Sequence, residues 1–212
     1  MSGARVLSVN RGPEAEVLVG SKPGRSGIDK RAAAGAVAVG FAGLEGDSYS
    51  ASSSPVGSEQ AVYAYAREDL DWWAGELNRE LRNGMFGENL TTAGLDISAA
   101  LIGETWRAGT VVVQVTAPRM PCATFKSWLD EPQWVRRFAA ARRPGAYLRV
   151  LTPGDVGPGD DLTVLSRPVQ AVTLADSVSA WYGDRELLAR VMTVEGRGAQ
   201  WDQVAARILT RP

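Results

Sequence analysis

Residues 111–122 read Val111-Val112-Val113-Gln114-Val115-Thr116-Ala117-Pro118-Arg119-Met120-Pro121-Cys122. The β-branched residues at the start are typical of a strand, and the two prolines that follow cannot donate to a strand ladder. The stretch therefore predicts a strand that ends at a loop carrying Cys122. This is the single cysteine among 212 residues, and the chain contains no histidine.

Short runs of the same kind recur through the first two-thirds of the chain, separated by turn-forming Gly, Pro and Asp residues. They lie at residues 5–9, 16–19, 36–41, 60–66, 101–107, 111–116, 146–151 and 162–165. Many short strands with such punctuation favour a β-barrel or a sandwich over a doubly wound sheet. The sequence thus predicts a mostly β fold for residues 1–167, with loops at residues 20–30 and 48–58, where small residues dominate without periodicity.

Two helices are predicted inside this β region and three after it. Apolar residues on one helical face indicate a helix over residues 67–83 with Gly84 as its stop, and a second helix follows Asp130. We interpret the tryptophans of these helices as core packing. Residues 168–212 predict three short amphipathic helices, an appendage too small for a robust core of its own, which we expect to dock on the β region or on a second subunit.

The composition excludes several classes of site and partner. The formal net charge is −1, so the chain lacks the basic excess that would predict a nucleic-acid partner. No apolar run is long enough for a membrane span and the N-terminus lacks a signal pattern, so we expect a cytoplasmic protein without a membrane partner. Without histidine there is no Ser-His-Asp or Cys-His triad, and one cysteine excludes a four-thiolate metal site within one chain. Metal or nucleophile chemistry would therefore depend on Cys122 and on oxygen groups.

Three stretches combine residue types that carry chemistry, and each has an ordinary structural alternative. Gly43-Leu44-Glu45-Gly46-Asp47 is either a binding segment or a turn. Gly84-Met85-Phe86-Gly87-Glu88-Asn89-Leu90-Thr91-Thr92 either presents polar side chains to a site or satisfies the backbone groups of a loop. The thiol of Cys122 is either inert and buried or, with Arg119 and Lys126 nearby to favour the thiolate, a metal ligand or nucleophile.

Taken in order along the chain, these stretches resemble the MOSC family, which is named for the C-terminal domain of molybdenum-cofactor sulfurase, and within it the bacterial YiiM-like group. The resemblance covers residues 1–167, and the helical tail is similar to the three-helix appendage of those proteins. The matching segments are Gly43-Leu44-Glu45-Gly46-Asp47, Ala61-Val62-Tyr63-Ala64-Tyr65, Phe86-Gly87-Glu88-Asn89-Leu90-Thr91, Pro118-Arg119-Met120-Pro121-Cys122, Arg136-Arg137-Phe138 and Gly145-Ala146-Tyr147-Leu148-Arg149-Val150.

The resemblance implies a MOSC-type β-barrel with inserted helices, followed by the three-helix appendage, and a site for the molybdenum cofactor, a molybdenum-pterin (molybdopterin). It implies that Cys122 ligates the molybdenum or carries a sulfur. It also implies that Arg119 helps to hold the anionic cofactor, because a guanidinium group suits paired contacts to phosphate or pterin.

The remaining residue roles also come from the resemblance. Asn89 and Thr91 would hydrogen-bond the pterin or its phosphate, and Asp47 or Glu88 would shape the floor of the pocket. The implied reaction is the reduction of N-hydroxylated bases and similar N-oxygenated compounds, with the protein supplying orientation and electrostatics. Because the chain has no iron–sulfur or flavin motif, this reaction would need an electron-donor protein.

Two departures from the family pattern keep other functions open. The family has a histidine and a lysine just before the segment at residues 61–65, where this chain has no histidine and carries Gln60 in place of the lysine; a second family lysine is replaced by Thr124. The sequence therefore leaves three functions: a molybdenum-cofactor reductase acting on a small-molecule substrate, a cofactor-free carrier of a Cys122 persulfide with a sulfur-donor partner, and a non-catalytic binding module. A homodimer is the expected assembly, since it is the commonest one.

Overall fold

The computed structural model describes residues 3–48 and 59–210, so nearly all of the loop predicted at residues 48–58 lies outside the described residues. The strands are β1 (Arg5–Arg11), β2 (Ala15–Val19), β3 (Lys22–Ser26), β4 (Arg31–Ala32), β5 (Val37–Gly40), β6 (Gly43–Leu44), β7 (Val62–Ala66), β8 (Leu90–Ala93), β9 (Thr105–Ala108), β10 (Val111–Pro118), β11 (Ala146–Thr152), β12 (Gly154–Val156) and β13 (Leu162–Ser166). The helices are α1 (Arg67–Leu77), α2 (Ala123–Leu129), α3 (Trp134–Ala141), α4 (Leu174–Tyr182), α5 (Arg185–Met192) and α6 (Gln200–Leu209). Within these described ranges, every helix is too short or too polar to cross a membrane.

One sheet of eight strands dominates the molecule, in the order β13-β9-β10-β11-β7-β8-β1-β4. Its neighbours pair antiparallel except β7 and β8, which run parallel on either side of α1. A three-stranded sheet (β12-β5-β6) and the hairpin β2-β3 complete the strands of the described residues. The parallel pair matters for function, because the chain segments that enter β7 and β8 meet at the same edge of the sheet.

The sheet curls until its two ends approach each other, but a closed barrel is not confirmed. The Val6 N–H donates to the Asp160 carbonyl at 2.9 Å, and the Leu162 N–H donates to the Ala4 carbonyl at 2.9 Å. A single isolated bridge, between Arg5 and Asp161, joins β1 to the turn before β13. Across the described residues these are contacts of one turn rather than a ladder, and with six helices present the fold is mixed and sheet-rich rather than mostly β.

Each of the eight predicted strand segments overlaps an observed strand, whereas the structure departs from the local predictions at three places. Residues 20–30 are not a loop throughout: Lys22–Ser26 pairs with Ala15–Val19 around a turn in which Gly20 takes φ 67°. Helix α2 was missed because seven residues directly after Pro121-Cys122 are too few to show a helical period. Helix α1 also ends earlier than predicted, at Leu77, where Asn78 takes the left-handed conformation in place of Gly84.

An aromatic cluster joins α1, α2 and α3 beneath the strand pair β7 and β8. Trp73, Phe86, Phe125, Trp134 and Phe138 are all at most 2% exposed, and each ring packs against several of the others. Burying a side chain of this size stabilises a fold by roughly 1.5–3 kcal/mol. The interpretation of these tryptophans as core is confirmed, and the cluster fixes α2, whose first residue follows Cys122.

The C-terminal helices share one hydrophobic core with the large sheet. Leu188, Val191, Trp201 and Val204 belong to the same buried cluster as the strand residue Val115. The indole N–H of Trp201 donates to the Thr116 carbonyl of β10 at 3.1 Å. The appendage therefore docks on the strand that leads to Cys122, while a domain boundary between residues 167 and 168 stays a prediction.

Replacing Trp201 tests how strongly this docking stabilises the molecule. Trp201→Ala removes a fully buried side chain and leaves a cavity, so we expect it to lower the free energy of unfolding by about 3–5 kcal/mol. Urea unfolding followed by circular dichroism measures the change. The matched control is Val169→Ala at a residue that is 96% exposed, for which a change within about 0.5 kcal/mol is expected. A loss below about 1 kcal/mol for Trp201→Ala would show that the appendage contributes little to stability.

Candidate functional site

A cavity of about 520 Å³ lies where β10 ends and α2 begins. Segments that are distant in sequence form its walls: hairpin residue Val19, the segment 26–30, residues 118–124, and aromatic residues from β7, β11 and α4. Tyr63 and Tyr147 come from the sheet, and Trp181 comes from the appendage. The cavity therefore combines aromatic walls with the loop that carries the single cysteine.

Cys122 lies at the mouth of this cavity as the N-cap residue of α2. Strand β10 continues to Pro118, which still pairs with Ala146, and only Arg119, Met120 and Pro121 separate the strand from the N-cap. The Sγ atom accepts a hydrogen bond from the Phe125 N–H at 3.5 Å, and the residue is exposed. The alternative of an inert, buried thiol is therefore wrong, since the sulfur is both accessible and oriented.

Arg119 is a buried cation that lines the same cavity, and no acidic residue in the described ranges pairs with it. The residue is 7% exposed, and its guanidinium lies 3.9 Å from the ring centre of Phe125 and 5.2 Å from that of Tyr63. Burial opposes its charge, but the neighbouring Tyr147, Tyr63 and Cys122 outweigh burial, and the pKa of Arg119 is raised. Within the described residues, its Nη1 atom has no hydrogen-bond partner. The guanidinium hydrogen-bonds Tyr147, but a buried N–H group left without an acceptor is costly, so this wall of the cavity suits an anionic group.

Lys30 lines the cavity as a second cation, and the sequence did not point to it. Its side chain is 7% exposed, and its ammonium donates to both carboxylate oxygens of Asp47. Burial is the largest influence on this group and lowers the pKa of Lys30, although Asp47 acts in the opposite direction. A lysine in a Gly- and Ser-rich stretch is normally solvent-exposed, so nothing in the local sequence distinguishes it.

Asn89 contacts the cavity, but its side-chain amide is already bonded within the protein. Its Oδ1 accepts from the Tyr63 N–H at 3.0 Å, and its Nδ2 donates to Asp47 at 2.8 Å and to the Asn10 carbonyl at 3.3 Å. Asp47, whose side chain is completely buried, lies behind Lys30 and Asn89 rather than on the cavity wall. Both residues therefore position the wall more than they offer free groups to a ligand.

Glu88 and Thr91 are fully buried away from the cavity. The Glu88 carboxylate accepts hydrogen bonds from the N–H groups of Gly84 and Phe86, the latter at 2.9 Å, and from the Thr91 hydroxyl at 2.9 Å. The Thr91 oxygen also accepts from the Asn10 amide at 3.0 Å. Glu88 therefore satisfies backbone groups of the loop, as in the structural alternative, whereas Thr91 bonds to the side chains of Glu88 and Asn10. Contacts from these two side chains to a cofactor stay a prediction from the resemblance.

The positions at which the chain departs from the family pattern lie at the cavity. Gln60 and Thr124 both line it, so a lysine at either position would face the same space as Arg119. Lys126, in contrast, is exposed and lines a separate groove beside Trp134 and Tyr182. Of the two cations expected beside Cys122, the structure therefore brings Arg119 to the cavity and leaves Lys126 outside.

The protein side chains of the described residues do not form a metal site by themselves. No group of three or more Cys, Asp or Glu residues is arranged to hold a metal ion in those ranges. A metal that binds beside Cys122 must therefore bring most of its ligands with it, as the metal of an organic cofactor does.

The buried Glu88 carboxylate makes a pH-dependent contribution that a substitution can measure. Burial raises the pKa of Glu88 above its unfolded value, so the folded state binds the proton more tightly. This contribution to stability is present below the unfolded pKa and is lost as pH rises through the folded pKa.

Glu88→Gln has no such proton and places an amide N–H₂ against a backbone N–H. We expect it to lower the free energy of unfolding by about 1–3 kcal/mol at pH 7, and by more near pH 4. Urea unfolding between these pH values checks the trend, and a constant difference would contradict it.

Comparisons with protein families, with known sequences and with solved structures indicate the same family. The MOSC domain model matches residues 51–163. YflK of Bacillus subtilis is 33% identical over 194 residues, covering 92% of this chain and 88% of that protein. The crystal structure of YiiM from Geobacillus stearothermophilus is 28% identical with a TM-score of 0.79, covering 98% of this chain and 100% of that one. A protein named reductase from Gibberella moniliformis is 32% identical over 166 residues, covering 73% of this chain but only 29% of that protein. The chain therefore belongs to the MOSC domain family.

Proposed function

We propose that this protein binds the molybdenum cofactor in the cavity beside Cys122 and reduces N-hydroxylated and other N-oxygenated small molecules. One observation carries the proposal: an exposed cysteine and a buried guanidinium that no acidic residue of the described ranges pairs with line the same cavity of about 520 Å³. A thiolate is a soft metal ligand, and a guanidinium that is not paired with a carboxylate can bind an anionic group such as a phosphate.

The donor set of the cavity fits such a cofactor. Cys122 supplies the sulfur ligand and Arg119 faces the anionic part, while Lys30, whose charge is balanced by Asp47, lines the same cavity. The planar rings of Tyr63, Tyr147 and Trp181 suit a flat, heteroaromatic group. The described residues contain no cluster of three or more metal-ligating side chains, which agrees with a metal that arrives already bound to its own organic ligands.

When bound, the cofactor would supply a redox-active metal centre that delivers electrons to the N–O group of the substrate. The chain's own residues orient and shield that chemistry. Helix α2 holds the Cys122 sulfur in one place through the Phe125 N–H. Val19 and Ile28 form an apolar part of the wall that limits access of water. The positive charges of Arg119 and Lys30 stabilise negative charge that develops in the cavity.

A reductive reaction is supported by the family and by one relative's name. The Gibberella relative is named a reductase, and this chain aligns with less than a third of its length. In our proposal the electrons come from a separate donor protein, as expected for a sequence that shows no iron–sulfur or flavin motif. A cytoplasmic location and a homodimer complete the proposal as expectations from composition and from the frequency of dimers.

The second candidate function is transfer of sulfur through a Cys122 persulfide. It is favoured by the N-cap position of the sulfur, where the Phe125 N–H would stabilise a charged sulfur species. The uncharged Gln60 and Thr124 at the cavity also fit a site that no longer holds a polyanionic cofactor. The third candidate function is a non-catalytic binding module. It would bind a small molecule in the cavity without using the Cys122 thiol.

Replacing Cys122 separates these functions. In protein made in a host that synthesises the cofactor, we expect molybdenum and pterin in the wild type and loss of both in Cys122→Ala, because the metal loses its protein ligand. Elemental analysis and pterin fluorescence measure the content, and reduction of an N-hydroxylated base with reduced methyl viologen should fall by at least about 100-fold. Lys126→Met is the matched control, since this exposed lysine lies outside the cavity, and it should keep both content and rate.

The other outcomes identify the alternatives. Metal-free wild-type protein carrying sulfane sulfur that a thiol releases would refute the reductase and favour the sulfur carrier. Protein with neither molybdenum nor sulfane sulfur, in which Cys122→Ala leaves ligand binding unchanged, would leave the binding module.

A further inference from the structure

Lys30 is the buried titratable group of the cavity to which the proposed reduction assigns no chemical step. It lies between β3 and β4, outside the residues matched by the MOSC model, and lines the cavity together with Cys122 and Arg119. Reducing an N-hydroxylated compound consumes protons as well as electrons, and a chain without histidine has no imidazole to deliver them.

We propose that Lys30 is the proton donor of this cavity and protonates the oxygen that leaves the substrate. The inference rests on the proposed reductase function. In the overall reaction, R–NH–OH takes up two electrons and two protons and gives R–NH₂ and water. The N–O bond breaks, one proton goes to the departing oxygen and the other to nitrogen. The electrons come from a reduced flavin or iron–sulfur protein.

The hydrogen bonds of the cavity favour Lys30 over its neighbours as the acid. The Tyr63 hydroxyl already donates to the Pro144 carbonyl at 3.0 Å, and burial raises the pKa of Tyr63 well above its usual value. Arg119 holds its proton too strongly to release it, and the Cys122 sulfur is assigned to the metal. Serine hydroxyls such as that of Ser26 are weaker acids still.

The Lys30 ammonium has a proton available for the cavity. In the described residues its hydrogen-bond acceptors are the two carboxylate oxygens of Asp47, which use at most two of the three ammonium N–H groups. Because Lys30 also lines the cavity, we assign the remaining N–H to the substrate. Asp47 is itself fixed by the Gly12 N–H at 2.9 Å and by Asn89. The ammonium is thus held by a rigid carboxylate, which keeps its position when a substrate enters.

The charges around Lys30 adjust its acidity in both directions. Burial and the positive Arg119 lower the pKa of Lys30, whereas the negative Asp47 and Glu88 raise it, and burial is the largest of these influences. A lysine whose ammonium is easier to deprotonate than usual is a better acid near neutral pH. After donation, the neutral amine can recover its proton from water in the cavity.

Two variants separate proton donation from simple positive charge. Lys30→Arg keeps the charge beside Asp47 but does not release a proton. Lys30→Met combined with Asp47→Asn removes both members of the pair, so that no unpaired carboxylate is left buried to unfold the protein. Lys126→Arg at the exposed lysine is the matched control.

For both Lys30 variants we expect kcat for an N-hydroxylated base, with reduced methyl viologen as electron source, to fall by about 10²–10⁴-fold. Molybdenum and pterin per chain should stay within twofold of the wild type, which is a readout independent of activity. The wild-type kcat should decline as pH rises through the pKa of Lys30, and this decline should be absent in the residual rate of Lys30→Arg.

The outcomes distinguish this inference from the proposed function. Cofactor-loaded wild-type protein that does not reduce the base overturns the reductase and the role of Lys30 with it. An active wild type together with a Lys30→Arg variant of similar kcat overturns the proton donor alone, because charge then suffices. Loss of cofactor in proportion to the loss of rate also overturns it, because Lys30 would then act in binding.

Discussion

The cavity depends on the buried side chain of Asn89, which joins three separate segments. Its amide bonds the Tyr63 N–H of β7, the Asn10 carbonyl of β1 and the Asp47 carboxylate, and its own N–H donates to the Tyr63 carbonyl at 2.8 Å. Asp47 in turn holds Lys30. Since buried polar groups are costly when unpaired, these bonds stabilise the positions of the three segments relative to one another.

Near the cavity, some polar side chains bond only to other parts of the protein, whereas Arg119 is available to a ligand. Glu88 and Thr91 bond only to neighbouring segments of the protein, whereas Arg119 is buried without an acidic partner in the described residues. This contrast is the physical basis for placing an anionic ligand beside Arg119. It also separates residues that belong to one sequence motif: Asn89 reaches the cavity and its neighbour Glu88 does not.

The fold brings the required parts together from regions far apart in the chain. The strand β10 carries Cys122 at its end and receives the appendage at Thr116, so the sulfur and the wall residue Trp181 are fixed to one element. The aromatic cluster packs against α2 and fixes the position of this helix, which begins directly after Cys122. A family match limited to residues 51–163 therefore covers the thiol and Arg119 but omits Lys30 and Trp181, which complete the cavity.

The sequence by itself determined the strand positions, the family and the chemistry available, because residue types and short periodic patterns are local properties. One cysteine and no histidine already directed attention to Cys122, and Arg119 lies too close to it in the chain to be elsewhere. Only the tertiary structure decided which polar residues face the cavity. Lys30 and Asp47 are separated by 17 positions, and Glu88 is turned inward, because their partners come from other segments. The sequence also did not show that the sheet curls without forming a closed ladder, since that depends on pairing between its two ends.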